Sequence, residues 1–137
     1  MEDGLGRGTP LARCLQLNAL ALAFSLAHTV ADYGIIADMT GFNDWAMAGY
    51  LGLTSAVYGW WGWSMARAAR DRRTALPSLL ALCGVWAVLH GATFVFTAIT
   101  SILADIIHFG SLIFGVRAAY ATWRLLRGRR VAIAQAQ

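Results

Sequence analysis

Residues 45–66, WAMAGYLGLTSAVYGWWGWSMA, carry no charge over 22 consecutive positions and run directly into the connector RAARDRR at 67–73. A hydrocarbon core takes about 20 helical residues to cross, so this stretch is long enough for a membrane span. In lipid each backbone amide must be satisfied within the segment, which leaves helix as the reading. No alternation of apolar and polar residues competes with it.

The pattern repeats on both sides. Ala75–Thr97 is uncharged over 23 residues, and Pro77 falls in its first turn, where proline is tolerated. A fourth run, Ser101 to Trp123, is interrupted by Asp105 and Arg117. Upstream, a polar, glycine-rich lead (MEDGLGRGTP, 1–10) precedes an apolar run from Cys14 to Ala31. Thr29-Val30-Ala31 resembles a cleavage site, but a run of this length reads as a retained helix. The expected helices are 11–33, 45–66, 75–97 and 101–124, with a short basic tail at 125–137. They form a single transmembrane domain over 1–137. The fold class is all-α: an integral membrane four-helix bundle, antiparallel and up-down.

Composition agrees. The hydrophobic fraction is 58%, the charged fraction 13% and the mean hydropathy +0.56. A water-soluble domain of 137 residues could not hide so much apolar surface. The eleven basic residues are all arginine, and they cluster at the ends of apolar runs instead of forming a stripe with interleaved aromatics. Nucleic-acid binding is therefore excluded as the reason for the net charge of +4. Cys14 and Cys83 lie in different runs with no CxxC, which supports neither a disulfide framework nor a redox pair.

The same arginines orient the chain. Four lie between 67 and 73, four between 124 and 130, and Arg7 and Arg13 precede the first run. The connectors at 33–44 and 98–100 contain no basic residue. The positive-inside rule then places both termini and the middle connector in the cytoplasm, making a multi-pass membrane protein. Trp60, Trp61, Trp63 and Trp123 are expected at the inner interface and Trp45 at the outer one. Arg117 lies about two turns from the inner end and can snorkel toward the head groups.

Each helix carries a small or polar stripe that is expected to face the others. On the first this is Asn18, Ala21, Ser25, His28 and Asp32; on the second, Gly52, Ala56 and Gly59. The third offers Trp86, His90, Thr93 and Thr97, and the fourth Ser101, Asp105, His108, Gly115 and Ala119. All three histidines of the chain fall in these stripes. His90 precedes the outer end of its run by seven residues and His108 follows the start of its run by seven. At 1.5 Å per residue both lie about 10 Å below the outer boundary. His28/Asp32 and Asp105/His108 each share a helix face. Five ionisable groups from three helices are thus expected in one layer of the outer leaflet.

Ionisable groups in lipid are costly unless paired or wetted, and so mark a site. As catalytic groups we take His28, Asp32, His90, Asp105 and His108, the imidazoles acting as bases or ligands and the carboxylates as orienting partners. Trp86, Asn18, Ser25 and Thr93 are the expected substrate-binding residues. His28, His90 and His108 are also the candidate metal ligands, since three imidazoles with a carboxylate suit zinc, iron or copper. No motif names a cofactor: a transition metal is what the donor set suggests. Haem held by His90 and His108 fits less well, because its propionates would want basic partners that the outer connectors lack.

The expected function is acid/base or metal-assisted chemistry on a hydrophobic, lipid- or isoprenoid-like molecule entering between helices. The alternative is a non-enzymatic subunit of a redox or photosynthetic complex, or a small proton- or ion-coupled transporter using the same layer. The expected partners are the lipid bilayer and a hydrophobic small molecule, with a second copy or membrane-complex subunits beside them. Four spans in a short chain are similar in outline to small multidrug transporters, yet the first run holds no glutamate. No phosphate-binding loop, GxSxG or HExxH is present.

Overall fold

The computed structural model describes residues 8–37, 44–70, 73–96 and 102–135. They form four helices: α1 (Pro10–Ala37), α2 (Asp44–Ala69), α3 (Leu76–Phe96) and α4 (Ile102–Gln135). A single tight turn, Arg73–Ala75, leads into α3. Among the described residues there is no strand. α1 starts where its chemistry says it should. The Thr9 hydroxyl accepts the Ala12 amide at 3.1 Å as an N-cap, and Pro10 occupies the first helical position, where its missing N–H costs nothing. α4 does not stop at the apolar run but continues through the arginine-rich tail to Gln135. Nothing in that tail breaks a helix except Gly128, and arginine, leucine and alanine are good helix formers.

Each helix packs on its neighbours around a ring, α1 on α2, α2 on α3, α3 on α4 and α4 on α1, with α4 the most extensively packed. The reason lies in small residues. A Cβ built on Gly110 would run into the Phe24 ring, and one on Gly115 would sit 3.4 Å from the Ala87 Cβ. Phe24 stacks on Phe114 at 5.2 Å, so the glycine provides the slot into which an aromatic of α1 fits. Ala21, Trp61, Leu79, Cys83 and Ala118 fill the interior below.

The second helix turns a different face inward from the one its glycines suggested. Gly52, Ala56 and Gly59 are exposed, and a Cβ on Gly52 or Gly59 would meet nothing within 4 Å. Thr54, Tyr58, Trp61, Ser64 and Ala68 face the core instead. Trp61, expected at the interface, is fully buried, while Trp60 and Trp63 beside it are exposed. A buried indole N–H or phenol O–H needs an acceptor, and only the inward direction supplies one. The Trp61 indole donates to Asn18 Oδ1 at 2.9 Å, and the Tyr58 hydroxyl donates to the Ser25 carbonyl at 3.0 Å. Two large rings span a gap that would otherwise demand glycine. Gly59→Leu is therefore expected to leave stability within about 0.5 kcal/mol of wild type, as for a surface change; thermal unfolding in detergent checks it.

One helical segment among the described residues, Pro10–Val30, is long and apolar enough to cross a membrane by length and composition, and Leu76–Gly91 is apolar but shorter. α2 is uncharged from Trp45 to Ala66 but is diluted by glycine, tryptophan, tyrosine and hydroxyl residues.

Candidate functional site

The three histidines meet. His28 projects from α1, His90 from α3 and His108 from α4, and their ring centroids form a nearly equilateral triangle with sides of 4.7, 4.7 and 5.1 Å. One ligand-capable nitrogen from each lies within 4.8 Å of the other two. His90 and His108 are almost wholly buried, at 6% and 9% exposure, and His28 is half-buried. The spacing follows from the bundle. α1 and α4 run antiparallel with His28 level with His108, and α3 delivers His90 from the adjoining side.

The hydrogen bonds order these rings. His108 Nε2 lies 2.9 Å from the His90 carbonyl oxygen, and His108 Nδ1 lies 2.6 Å from His28 Nε2. A carbonyl only accepts, so Nε2 of His108 carries the proton. In neutral His108 the Nδ1 lone pair then accepts from His28 Nε2–H, a proton placement inferred from the network. A backbone carbonyl holding one ring nitrogen of a histidine is also the usual way a metal ligand is oriented, leaving the other nitrogen for the ion. Nδ1 of His108 is therefore the nitrogen that would face an ion in place of His28 Nε2. On one tetrahedral zinc-class ion two nitrogens stand about 3.3 Å apart, from bonds of about 2.0–2.1 Å. Loading the site requires His28 and His108 to separate by roughly 0.7 Å relative to that spacing, and half-buried His28 is the ring with room to move.

Beneath the triangle lies an aromatic floor. Trp86 meets His90 edge-on at 5.0 Å, Tyr58 at 5.3 Å and Trp61 at 6.5 Å. The Tyr58 hydroxyl is also hydrogen-bonded to Thr29 Oγ1, next to His28. Ser25, one turn below His28, is fully buried and donates to the Ala21 carbonyl at 2.7 Å. Ser111 sits one turn from His108 on the same face, also fully buried.

Not every expected site residue joins this group. Asn18 is ten residues from His28, about 15 Å along the helix, and belongs to a separate buried knot. Its amide nitrogen donates to the Cys14 carbonyl at 3.0 Å and to Thr122 Oγ1 at 3.4 Å, while its oxygen takes the Trp61 indole. Cys14 Sγ lies 3.3 Å from the same Thr122 hydroxyl, and Cys14 and Cys83 are both free and buried. Asp32, Thr93 and Asp105 belong to helices α1, α3 and α4, but their side chains lie outside the described residues. Thr29, Tyr58 and Ser111 were missed by the sequence reading. The i, i+3 spacing of Ser111 from His108 was the available signal for one of them; for Tyr58 it was the Thr54–Tyr58–Trp61 face of α2.

Three imidazoles, one carbonyl and an aromatic floor can hold a metal ion, relay a proton, or both. Comparison with known proteins finds no matching family model, no similar curated protein and no similar solved structure.

Proposed function

We propose that the chain is a multi-pass membrane protein whose three-histidine centre binds a transition-metal ion and uses it for acid/base or metal-assisted chemistry on a hydrophobic molecule. The observation that carries this reading is the convergence of all three histidines, with ligand nitrogens within 4.8 Å of one another. Three imidazoles on a zinc-class ion leave a fourth position for water or substrate, the arrangement of catalytic rather than structural sites. Asp32 and Asp105, on the helix faces of His28 and His108, are the proposed orienting carboxylates, and Trp86 the proposed wall for substrate.

The membrane placement rests on which faces are left outside. Val30, Leu53, Val88 and Ile106 are 74, 68, 71 and 58% exposed, while Asn18, Ser25, Ser64, Ser111 and Thr122 are fully buried. Apolar-out and polar-in suits a lipid solvent and is the reverse of what water selects. With the arginines on one side, the termini and the connector at 67–73 are cytoplasmic. Reporters fused after residue 40 are expected to face outward and those after residue 70 or 130 inward. The opposite pattern would invert the site to the cytoplasmic leaflet.

Metal analysis of protein purified from membranes without added metal tests the chemical half of the proposal. About one zinc, iron or copper per chain is expected, and none in a His28→Ala, His90→Ala or His108→Ala variant. A second reading is favoured by one specific contact, the 2.6 Å bond between His28 and His108. A metal-free histidine pair of this kind passes protons, as a transporter or an accessory subunit of a redox complex would require. Protein purified without metal that takes up none on titration would select it.

A further inference from the structure

At the arginine-rich end the fold builds a second feature, away from the histidines. Cys14 is level with Thr122 through their 3.3 Å contact. Moving four residues back from Cys14 to the start of α1 at Pro10 therefore moves four forward on α4, to Leu126. The Trp61–Asn18–Thr122 contacts put the end of α2, Ala69, at about the same level. The His108–His90 bond puts the start of α3, Leu76, near Thr122. Residues 127–135 of α4 thus project beyond all three other helices, by about 13 Å at 1.5 Å per residue.

Where α4 leaves the bundle, Tyr120, Trp123, Arg124, Arg127, Gly128 and Val131 share one exposed face of the helix, a shallow groove open to the outside. The Arg127 guanidinium lies over the Trp123 ring at 5.4 Å, and Tyr120 backs that ring at 5.9 Å. Gly128 keeps the floor clear, since a Cβ there would meet nothing within 4 Å. The same device stands on α2, where the Arg67 guanidinium lies over Trp63 at 4.6 Å. Both pairs are W-x-x-x-R at i, i+4, on helices running toward the arginine side, so each arginine sits one turn beyond its tryptophan. Arg67 Nε is buried with no hydrogen-bond partner among the described residues. No acidic residue follows Asp105 in the sequence, so the α4 groove has no carboxylate of its own helix to neutralise it.

We infer that the α4 groove binds the phosphate of an anionic phospholipid of the cytoplasmic leaflet, with Trp63/Arg67 as a second contact of the same kind. This rests on the membrane placement proposed above but not on the metal. Tryptophan sits at the level of the head groups, and a stacked guanidinium is already held in place to clasp phosphate oxygens in two-pronged fashion. Above the groove, Phe109, Ile113 and Val116 are exposed on the same side of α4. They offer a track for the acyl chain. Arginines just inside a span are the established signature of anionic-lipid attraction, and here the groove gives it a defined seat.

Thermal unfolding and native mass spectrometry of the detergent-purified chain test this with three probes: phosphatidylglycerol, phosphatidylcholine and soluble glycerol 3-phosphate. Phosphatidylglycerol is expected to raise Tm and to stay bound in the mass spectrum, and the other two to do neither. Arg124→Gln/Arg127→Gln is expected to weaken the phosphatidylglycerol response at least tenfold. Arg70→Gln, at the end of α2 and outside the groove, is expected to leave it unchanged. A wild-type response in the double variant, or an equal response to phosphatidylcholine, overturns the inference. So does a glycerol 3-phosphate response equal to that of the lipid, which would assign the groove to a soluble anion. Recovery of the chain in the soluble fraction after an alkaline wash would instead remove the membrane placement, a failure read from a different measurement.

Discussion

Replacing His108 by alanine is expected to lower metal affinity by about 100-fold or more, above the usual range for loss of a supporting group, because a direct ligand is lost. His108 is the hub of the site: one nitrogen is fixed by the His90 carbonyl at 2.9 Å and the other faces His28 at 2.6 Å. In the proposed centre the substitution removes one of three ligands and also the ring that contacts both His28 and the His90 backbone. Because His108 is nearly buried, the alanine variant also leaves a cavity, and lost affinity could be confused with lost fold. His28→Ala separates the two. At its half-buried position it takes away a ligand with little packing, so metal affinity should fall to a similar degree while Tm changes little. Competition for zinc against a chelator of known affinity measures both. Affinity unchanged in either variant would mean that the imidazoles do not share an ion.

The second large effect is on stability. Gly110→Leu is expected to destabilise the bundle by about 1–3 kcal/mol, the range for an overpacked core. Even a bare Cβ at this position would collide with the Phe24 ring. That ring cannot swing freely because it stacks on Phe114 at 5.2 Å. Gly110→Ala should cost less, since alanine regains about 1 kcal/mol of helix propensity over glycine. Adding Phe24→Ala to Gly110→Leu should restore part of the loss, because the second change empties the space the leucine needs. Thermal unfolding of wild type, Gly110→Leu, Phe24→Ala and the double variant closes this cycle. Strict additivity would show that Gly110 and Phe24 do not meet.

The helix count and the histidine cluster were legible because each rests on a strong local signal. Uncharged runs as long as Trp45–Ala66 admit only helix once lipid is the solvent, and a seven-residue offset from each run's end put His90 and His108 at one depth. The first helix's stripe of Asn18, Ala21 and Ser25 was equally readable, since all three are fully buried. The second helix misled. Glycine spacing suggests close approach, but Gly52 and Gly59 carry no donor that must be satisfied, whereas Trp61 and Tyr58 do. Hydrogen-bond demand decided the face, and it depends on acceptors (Asn18 Oδ1 and the Ser25 carbonyl) that belong to another helix and leave no trace in α2 itself. Asn18 is expected at the site because it shares the stripe of Ala21, Ser25 and His28. Its depth, ten residues from His28, was the warning that it serves a different layer. The hydrogen bond from His108 to the His90 backbone was beyond sequence, because a carbonyl has no side-chain signature.

Cobalt(II) titration of the detergent-purified wild-type chain, followed by visible absorption, tests the three-histidine centre most directly. Cobalt takes zinc's place at nitrogen sites, and its absorption reports coordination number. The expected result is one cobalt per chain with the intense bands of a four- or five-coordinate ion, lost when His90 is replaced by alanine. A spectrum no different from cobalt in buffer, or one that survives His90→Ala, would contradict a shared metal centre at His28, His90 and His108.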